Sequence, residues 1–281
     1  LSAFLFLISA IGCSLVSELN LLIAARLLGG VGVGIASIVV PLYLSEISPA
    51  AIRGRLVTFY QLAITVGILL AYITNSLLLS YSEQHIATAG TGVFDLVYIA
   101  EVWRGMFSIG TILALLFVLG LFFVPESPRW LIKKGRLLEG QQILKKINDG
   151  KVEPIGADAD QNENGSYKEL FTPQLRKALL LGILLPLFSQ LSGINAIIYY
   201  VPSCLHDAGI ERSESFLGQI IFGLANLVFT FIAIWKVDQW GRRPLYLIGT
   251  TGATISLFAT GVLFYLGLST KILLFISVTL F

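Results

Sequence analysis

Charge is scarce in this 281-residue chain: Asp, Glu, Lys and Arg make up 13% of it, against about 25% in soluble domains. That shortage excludes a soluble enzyme. A hydrophobic fraction of 56% and a mean hydropathy of +0.82 exclude a disordered chain. Cysteine is nearly missing, and Cys13 and Cys204 form neither a disulfide framework nor a metal-ligand spacing. Histidine is limited to His85 and His206, which read as solvated loop residues, and no His/Asp/Glu cluster lies in the apolar stretches. No metal, cofactor or catalytic group is therefore expected. A net charge of +2 gives no reason to expect nucleic acid. Methionine occurs once, at Met106; the chain opens at Leu1 and stops at Phe281, each inside an apolar run, with no basic leader. The expectation is a piece cut at both ends, without a signal peptide.

What the chain has in quantity is uninterrupted apolar sequence. Stretches free of charge cover 1–17, 27–45, 56–82, 105–125, 178–205, 215–235, 244–270 and 272–281. A bilayer-crossing helix needs about 20 apolar residues, so seven stretches are long enough and the eighth reads as a span cut short. Backbone polar groups must be satisfied inside lipid, and the alternation of a barrel is missing, so an all-α polytopic membrane protein is predicted. If the first span ends outside at Glu18, 15 of the 19 basic residues fall on the inner side. Trp103, Trp130, Trp235 and Trp240 stand at or just beyond span ends, as an interfacial belt requires.

Three domains follow: 1–125 with four spans, a cytoplasmic helical linker over 126–176, and 177–281 with three spans and the start of a fourth. In the linker, Ser127-Pro128 reads as an N-cap and first helical residue. Apolar residues from Trp130 to Ile147 then recur at helical spacing up to Asp149-Gly150. Residues 151–166 are polar and glycine-containing, and an amphipathic piece from Tyr167 leads back into the membrane.

Polar residues inside the spans carry the functional signal, because each costs free energy unless partnered. Thr58, Gln61, Thr65, Tyr72 and Ser76 share one face of the third span; Ser215, Gln219, Asn226 and Thr230 share one face of the sixth. Each stripe either bonds a neighbouring helix or lines a polar cavity, and the amides of Gln61 and Asn226 suit the second role. The fifth span carries Gln190, Gly193 and Asn195, followed by Tyr199 and Tyr200. On a regular helix Gln190 and Asn195 are about 140° apart, so unwinding at Gly193 is expected to bring them together. Neutral amides match a neutral polyhydroxy ligand, since each both donates and accepts. Arg26 lies roughly 9 Å inside its span, either snorkelling to the interface or paired with an acid elsewhere. Glu46 with Arg53, Glu126 with Arg129, and Asp238 with Arg242 and Arg243 gather at inner span ends. Singly each is a weak surface pair; together they read as a breakable inner gate.

Six ordered segments carry a resemblance: RLLGGVGVG at 26–34, PLYLSEISPAAIRGR at 41–55, QLAITVGILLAY at 61–72, PESPRWL at 125–131, QLSGINAIIYY at 190–200 and VDQWGRRPL at 237–245. They resemble the sugar-porter family of the major facilitator superfamily, most of all its bacterial proton-coupled xylose symporters and next its facilitative glucose transporters. The resemblance implies a major facilitator fold truncated at both ends, covering about the third to the tenth of twelve helices. It implies that Gln61, Gln190, Asn195 and Asn226 hydrogen-bond a sugar and that Tyr199 and Tyr200 form an outer gate. Glu46, Arg53, Glu126, Arg129, Asp238, Arg242 and Arg243 would form the inner charge network, and Arg26 the proton-coupling arginine. The implied activity is alternating-access transport of a monosaccharide, a pentose or a hexose, coupled to protons, by a monomer in the plasma (inner) membrane. A facilitative hexose, polyol or inositol uniporter and a non-transporting sugar sensor are the alternatives. One departure stands out: where the family usually has a glutamine before Gln190, this chain has Ser189. Its shorter hydroxyl either falls short of the sugar or reaches it through a bridging water.

Overall fold

The computed structural model describes residues 1–49, 53–88, 90, 92–147, 171–207 and 211–266. In chain order the α-helices are α1 (Ser2–Leu15), α2 (Leu19–Ile47), α3 (Arg53–His85), α4 (Val93–Asp95), α5 (Val102–Leu121), α6 (Pro128–Lys133), α7 (Leu137–Ile147), α8 (Pro173–Leu191), α9 (Ile194–Asp207), α10 (Arg212–Trp240) and α11 (Arg242–Tyr265). A short π-helical turn, Leu96–Ala100, leads into α5. No strand occurs among the described residues, as expected of backbone that must satisfy its own hydrogen bonds in lipid.

Five helices are long and apolar enough to cross a membrane unbroken: Leu19–Ile47, Leu56–His85, Val102–Leu121, Glu214–Val237 and Arg243–Leu263. The sequence predicts seven such stretches, and the difference has two sources. The first stretch forms a shorter apolar helix, Ser2–Leu15, because Val16 turns to extended backbone (φ −75°, ψ 136°). The stretch 178–205 becomes two helices, α8 and α9, interrupted at Ser192-Gly193. The final run, 272–281, lies outside the described residues.

The linker region also differs from expectation. Ser127 caps α6 as predicted, its Oγ accepting the Trp130 N–H at 3.4 Å with Pro128 in the first turn. The single helix expected through Ile147 is instead split at Gly135, which takes φ +81°. The Arg136 N–H donates to Leu131 O at 2.9 Å and the Gly135 N–H to Ile132 O at 3.0 Å, the paired bonds that stop a helix with a left-handed residue. Apolar spacing alone does not register this stop, because Leu137 resumes the periodicity beyond it. The polar segment 151–166 and the Asp149-Gly150 terminator lie outside the described residues. The re-entry piece does not stand apart: from Pro173 onward it is the first part of α8.

The described residues fall into two compact units, one drawn from Leu1–Val152 with Gly223–Gln239, the other from Glu153–Phe222 with Trp240–Phe281. In the first, α1 packs on α2 and α5, and α3 on α2 and α5. Large apolar side chains such as Leu27, Ile38, Leu70, Ile112 and Leu116 stay exposed on these helices, where lipid would cover them. With lipid as apolar as leucine, close backbone approach takes over as the packing force. A Cβ at Gly29 would overlap the Ser9 side chain, and one at Gly32 would sit 3.1 Å from Ser2 O.

The end of this unit beside the C-terminus of α1 is tied by Arg104, which is only 7% exposed. Its guanidinium donates to Ser14 O at 3.2 Å, Val16 O at 3.0 Å and Ser17 Oγ at 3.1 Å, and pairs with Glu101. It therefore satisfies carbonyls that the end of α1 leaves unpaired, and its charge complements that helix terminus. Read from the sequence, Arg104 is only one of three bases expected on the outer side, with Arg212 and Lys271.

Gly29→Leu is expected to force α1 and α2 apart and cost about 1–3 kcal/mol, seen as a lower melting temperature of the detergent-solubilised protein. Gly30→Leu is the control: a Cβ there meets nothing within 4 Å, and the melting temperature should stay near wild type.

Candidate binding site

Hydroxyls and amides behave differently in these helices. Thr58 donates to Gly54 O at 2.6 Å, Thr65 to Leu62 O at 2.9 Å, Thr230 to Asn226 O at 2.8 Å and Thr254 to Thr250 O at 2.8 Å. A hydroxyl three or four residues along a helix can always return its proton to its own backbone, so these residues need no ligand. A carboxamide has two donors and an acceptor oxygen, more than the helix can satisfy. The amides therefore mark the candidate site.

The α8–α9 break is built around one such pair. Gly193 takes φ +89°, a left-handed conformation that costs residues with a Cβ about 1–2 kcal/mol. Space is not the constraint there, since a Cβ would approach only Leu257 Cδ1, at 3.9 Å. The turn brings Asn195 Nδ2 to Gln190 Oε1 at 2.5 Å, while Ser192 Oγ donates to Ser189 O at 2.7 Å. The convergence expected from the sequence is thus present. The pair uses one donor and one acceptor internally, leaving the Gln190 NH2 and the Asn195 carbonyl to engage another molecule, and both side chains are exposed. Tyr199 and Tyr200, 70% and 62% exposed, follow on α9.

In the first unit, α3 approaches α10 where the Tyr72 and Leu69 side chains meet Gly223. Thr65, Tyr72 and Ser76 are buried on α3, and the Tyr72 ring lies where a Cβ on Gly223 would be, 2.8 Å from Cδ2. Asn226, one turn beyond Gly223 on α10, is half-buried; Gln61 is exposed. Neither amide makes a hydrogen bond among the described residues.

At the C-terminal end of α2, Glu46 accepts the Ser127 hydroxyl at 2.5 Å, and the Tyr43 hydroxyl donates to Pro125 O at 2.8 Å. Pro128 and Leu131 are buried beneath these contacts. A cavity of about 350 Å³ opens beside them, with Glu46, Glu126, Arg129 and Lys133 on its wall. Glu126 and Arg129 share that cavity without an ion pair; among the described residues the ion pairs are Arg104–Glu101 and Arg136–Glu139. The side chains of Arg53, Asp238 and Arg242 lie outside the described residues, and Arg243 is exposed. Ser127, which sequence reasoning assigns only to capping, also holds α6 to α2. The signal available for that second role was the position of Glu46 near the end of the preceding inner span.

Arg26 is exposed on α2, with its guanidinium 5.3 Å from the centre of the Phe107 ring on α5. It makes no ion pair among the described residues. Contact with an aromatic face holds such a cation for about 0.5–1 kcal/mol at an exposed position.

Five apolar helices of bilayer length, beside a further apolar stretch interrupted at Gly193, mark an integral membrane protein. More narrowly, the chain belongs to the family described as "Sugar (and other) transporter", whose model matches residues 1–281. The major myo-inositol transporter IolT of Bacillus subtilis (strain 168) is 35% identical over 268 residues, 92% of this chain and 54% of its own length. The arabinose-proton symporter of the same organism is 37% identical over 282 residues, 99% and 58% of the two chains. The D-xylose-proton symporter of Escherichia coli (strain K12) is 38% identical over 247 residues, 85% and 47%. Among solved structures, the partially occluded inward-open xylose transporter XylE from E. coli superposes with a TM-score of 0.75 at 32% identity, over 99% of this chain and 64% of that one. The proton:xylose symporter XylE bound to 6-bromo-6-deoxy-D-glucose gives 0.72 at 31% identity, over 99% and 61%. The fold is therefore that of the major facilitator superfamily, and the chain spans about half the length of the curated relatives it matches.

Gly193→Ala should lower the melting temperature by the equivalent of about 1–2 kcal/mol, because the left-handed turn is strained for any residue with a Cβ. Ser127→Ala should cost about 1 kcal/mol through loss of the cap, and hydrogen exchange should then rise first in α6.

Proposed function

We propose that the protein carrying this chain moves a monosaccharide, a pentose or a hexose, across a membrane by alternating access, coupled to protons. The observation that carries this reading is the exposed Gln190–Asn195 amide pair at the α8–α9 break. Its remaining donors and acceptor match adjacent hydroxyls of a neutral ligand. An ionic substrate would call for a buried opposite charge, and the break carries none among the described residues. Gln61 and Asn226 are assigned to the same ligand because their amides have no partner on their own helices. Tyr199 and Tyr200 close the outer side, while the charges at Glu46, Arg53, Glu126, Arg129, Asp238, Arg242 and Arg243 close the inner side and separate as it opens. The bias of basic residues supports a cytoplasmic location for 126–177.

Proton coupling is assigned to Arg26, a cation within a span. The support is indirect: the relatives include proton symporters for arabinose, xylose and galactose. Similarity to a myo-inositol transporter extends the same polyhydroxy chemistry to a cyclic polyol, which is the second reading.

Uptake of labelled xylose, glucose and myo-inositol into proteoliposomes, with and without an inward proton gradient, tests the proposal. Accumulation driven by the gradient is the expected result; equilibration indifferent to it assigns uniport, and sugar binding without flux assigns a sensor. Gln190→Ala and Asn195→Ala should each raise KM about tenfold, the loss of one to two ligand hydrogen bonds. Unchanged flux in both variants would remove the amide pair from the site.

A further inference from the structure

Gln219 on α10 has no place in the site described so far, yet it is the one carboxamide among the buried side chains of the described residues, at 7% exposure. None of its hydrogen-bonding capacity is met by a described residue. The neighbouring hydroxyl on this face does not share the problem: Ser215, fully buried, donates to Glu211 O at 2.9 Å. A buried amide left without a partner bears its whole desolvation cost, and a leucine of similar size would fill the same space without it. Such a group is explained when something polar visits it.

Its position on the helix indicates what that visitor is. Seven residues separate Gln219 from Asn226, about 700° of rotation, so the two amides lie within about 20° of one line along α10. They are about 10.5 Å apart along the axis. Asn226 sits near the middle of the span Glu214–Val237, and Gln219 lies toward its Glu214 end. Gly218 and Gly223, both buried, flank Gln219 on the same helix. The separation exceeds the width of a pyranose ring, so one monosaccharide meets the two amides in succession.

We propose that Gln219 is a further ligand contact, an amide that hydrogen-bonds the polyhydroxy substrate on its passage between the Glu214 end of the span and Asn226. The inference rests on the transport reading above and extends it to a residue outside the Gln190–Asn195 pair. Gln219 sets how readily substrate is captured from that side of the membrane, and it takes no part in holding the helices together.

The test is zero-trans uptake of labelled xylose by proteoliposomes containing wild type, Gln219→Leu or Gln219→Asn, with the melting temperature of each measured in detergent. The expected result is a three- to tenfold rise in KM for Gln219→Leu, with kcat within twofold and the melting temperature equal to or above wild type. Gln219→Asn, which keeps an amide, should recover at least half of the affinity that Gln219→Leu gives up. Unchanged KM in Gln219→Leu overturns the inference while leaving the transport reading intact. A lowered melting temperature or a misfolded Gln219→Leu protein overturns it as well, since the amide is then structural. Absence of sugar flux in wild type overturns the transport reading and this inference together.

Discussion

Every feature of this protein depends on the requirement that polar groups inside lipid find partners within the chain. Water is not available there to satisfy an orphaned N–H or carbonyl. The backbone meets the requirement by forming helices. Serine and threonine meet it by bonding to their own helix, as Thr58, Thr65, Thr230 and Thr254 do. Carboxamides carry more donors and acceptors than their own helix can satisfy, and so Gln61, Gln190, Asn195, Gln219 and Asn226 are the residues proposed to address a ligand. Arg104 shows how the same rule is met when the group is charged: three oxygens around the end of α1 and the Glu101 carboxylate surround one guanidinium.

The break at Gly193 connects this requirement to the proposed function. An intact helix would keep Gln190 and Asn195 on different faces and leave their amides unable to meet. A single left-handed residue turns them toward each other and exposes the pair, at the cost of interrupting a hydrogen-bonded span. The interruption is tolerated because the freed polar groups bond locally, as Ser192 does to Ser189. Elsewhere glycine has the opposite use: at Gly29 and Gly32 it lets α1 and α2 touch.

Where α2 meets α6, the first unit joins stability to the proposed gating. One hydroxyl, on Ser127, both caps α6 and holds Glu46. The order of the short helix is thereby linked to where that carboxylate points. Glu126 and Arg129 stand around the adjoining cavity without pairing, which leaves them available for partners on other elements.

Much of this could be read directly from the sequence. Apolar length alone marks the membrane class, and six ordered motifs mark the family. The need for distortion near Gly193 follows from the angular separation of Gln190 and Asn195. Helix ends and helix pairing were less legible. Charges show where lipid stops, whereas a helix ends where its backbone does, and so α2 begins at Leu19 and runs through Arg26. The stop at Gly135 was hidden because apolar periodicity continues on both sides of it. Sequence determined which residues are costly to leave in lipid, since that depends on side-chain chemistry alone. Only tertiary structure decided which of them are satisfied: that Arg104 closes the end of α1, that Ser127 reaches Glu46, and that Gly223 meets Tyr72. Those pairings depend on which helix faces come together, and residues so far apart along the chain carry no local signal of it.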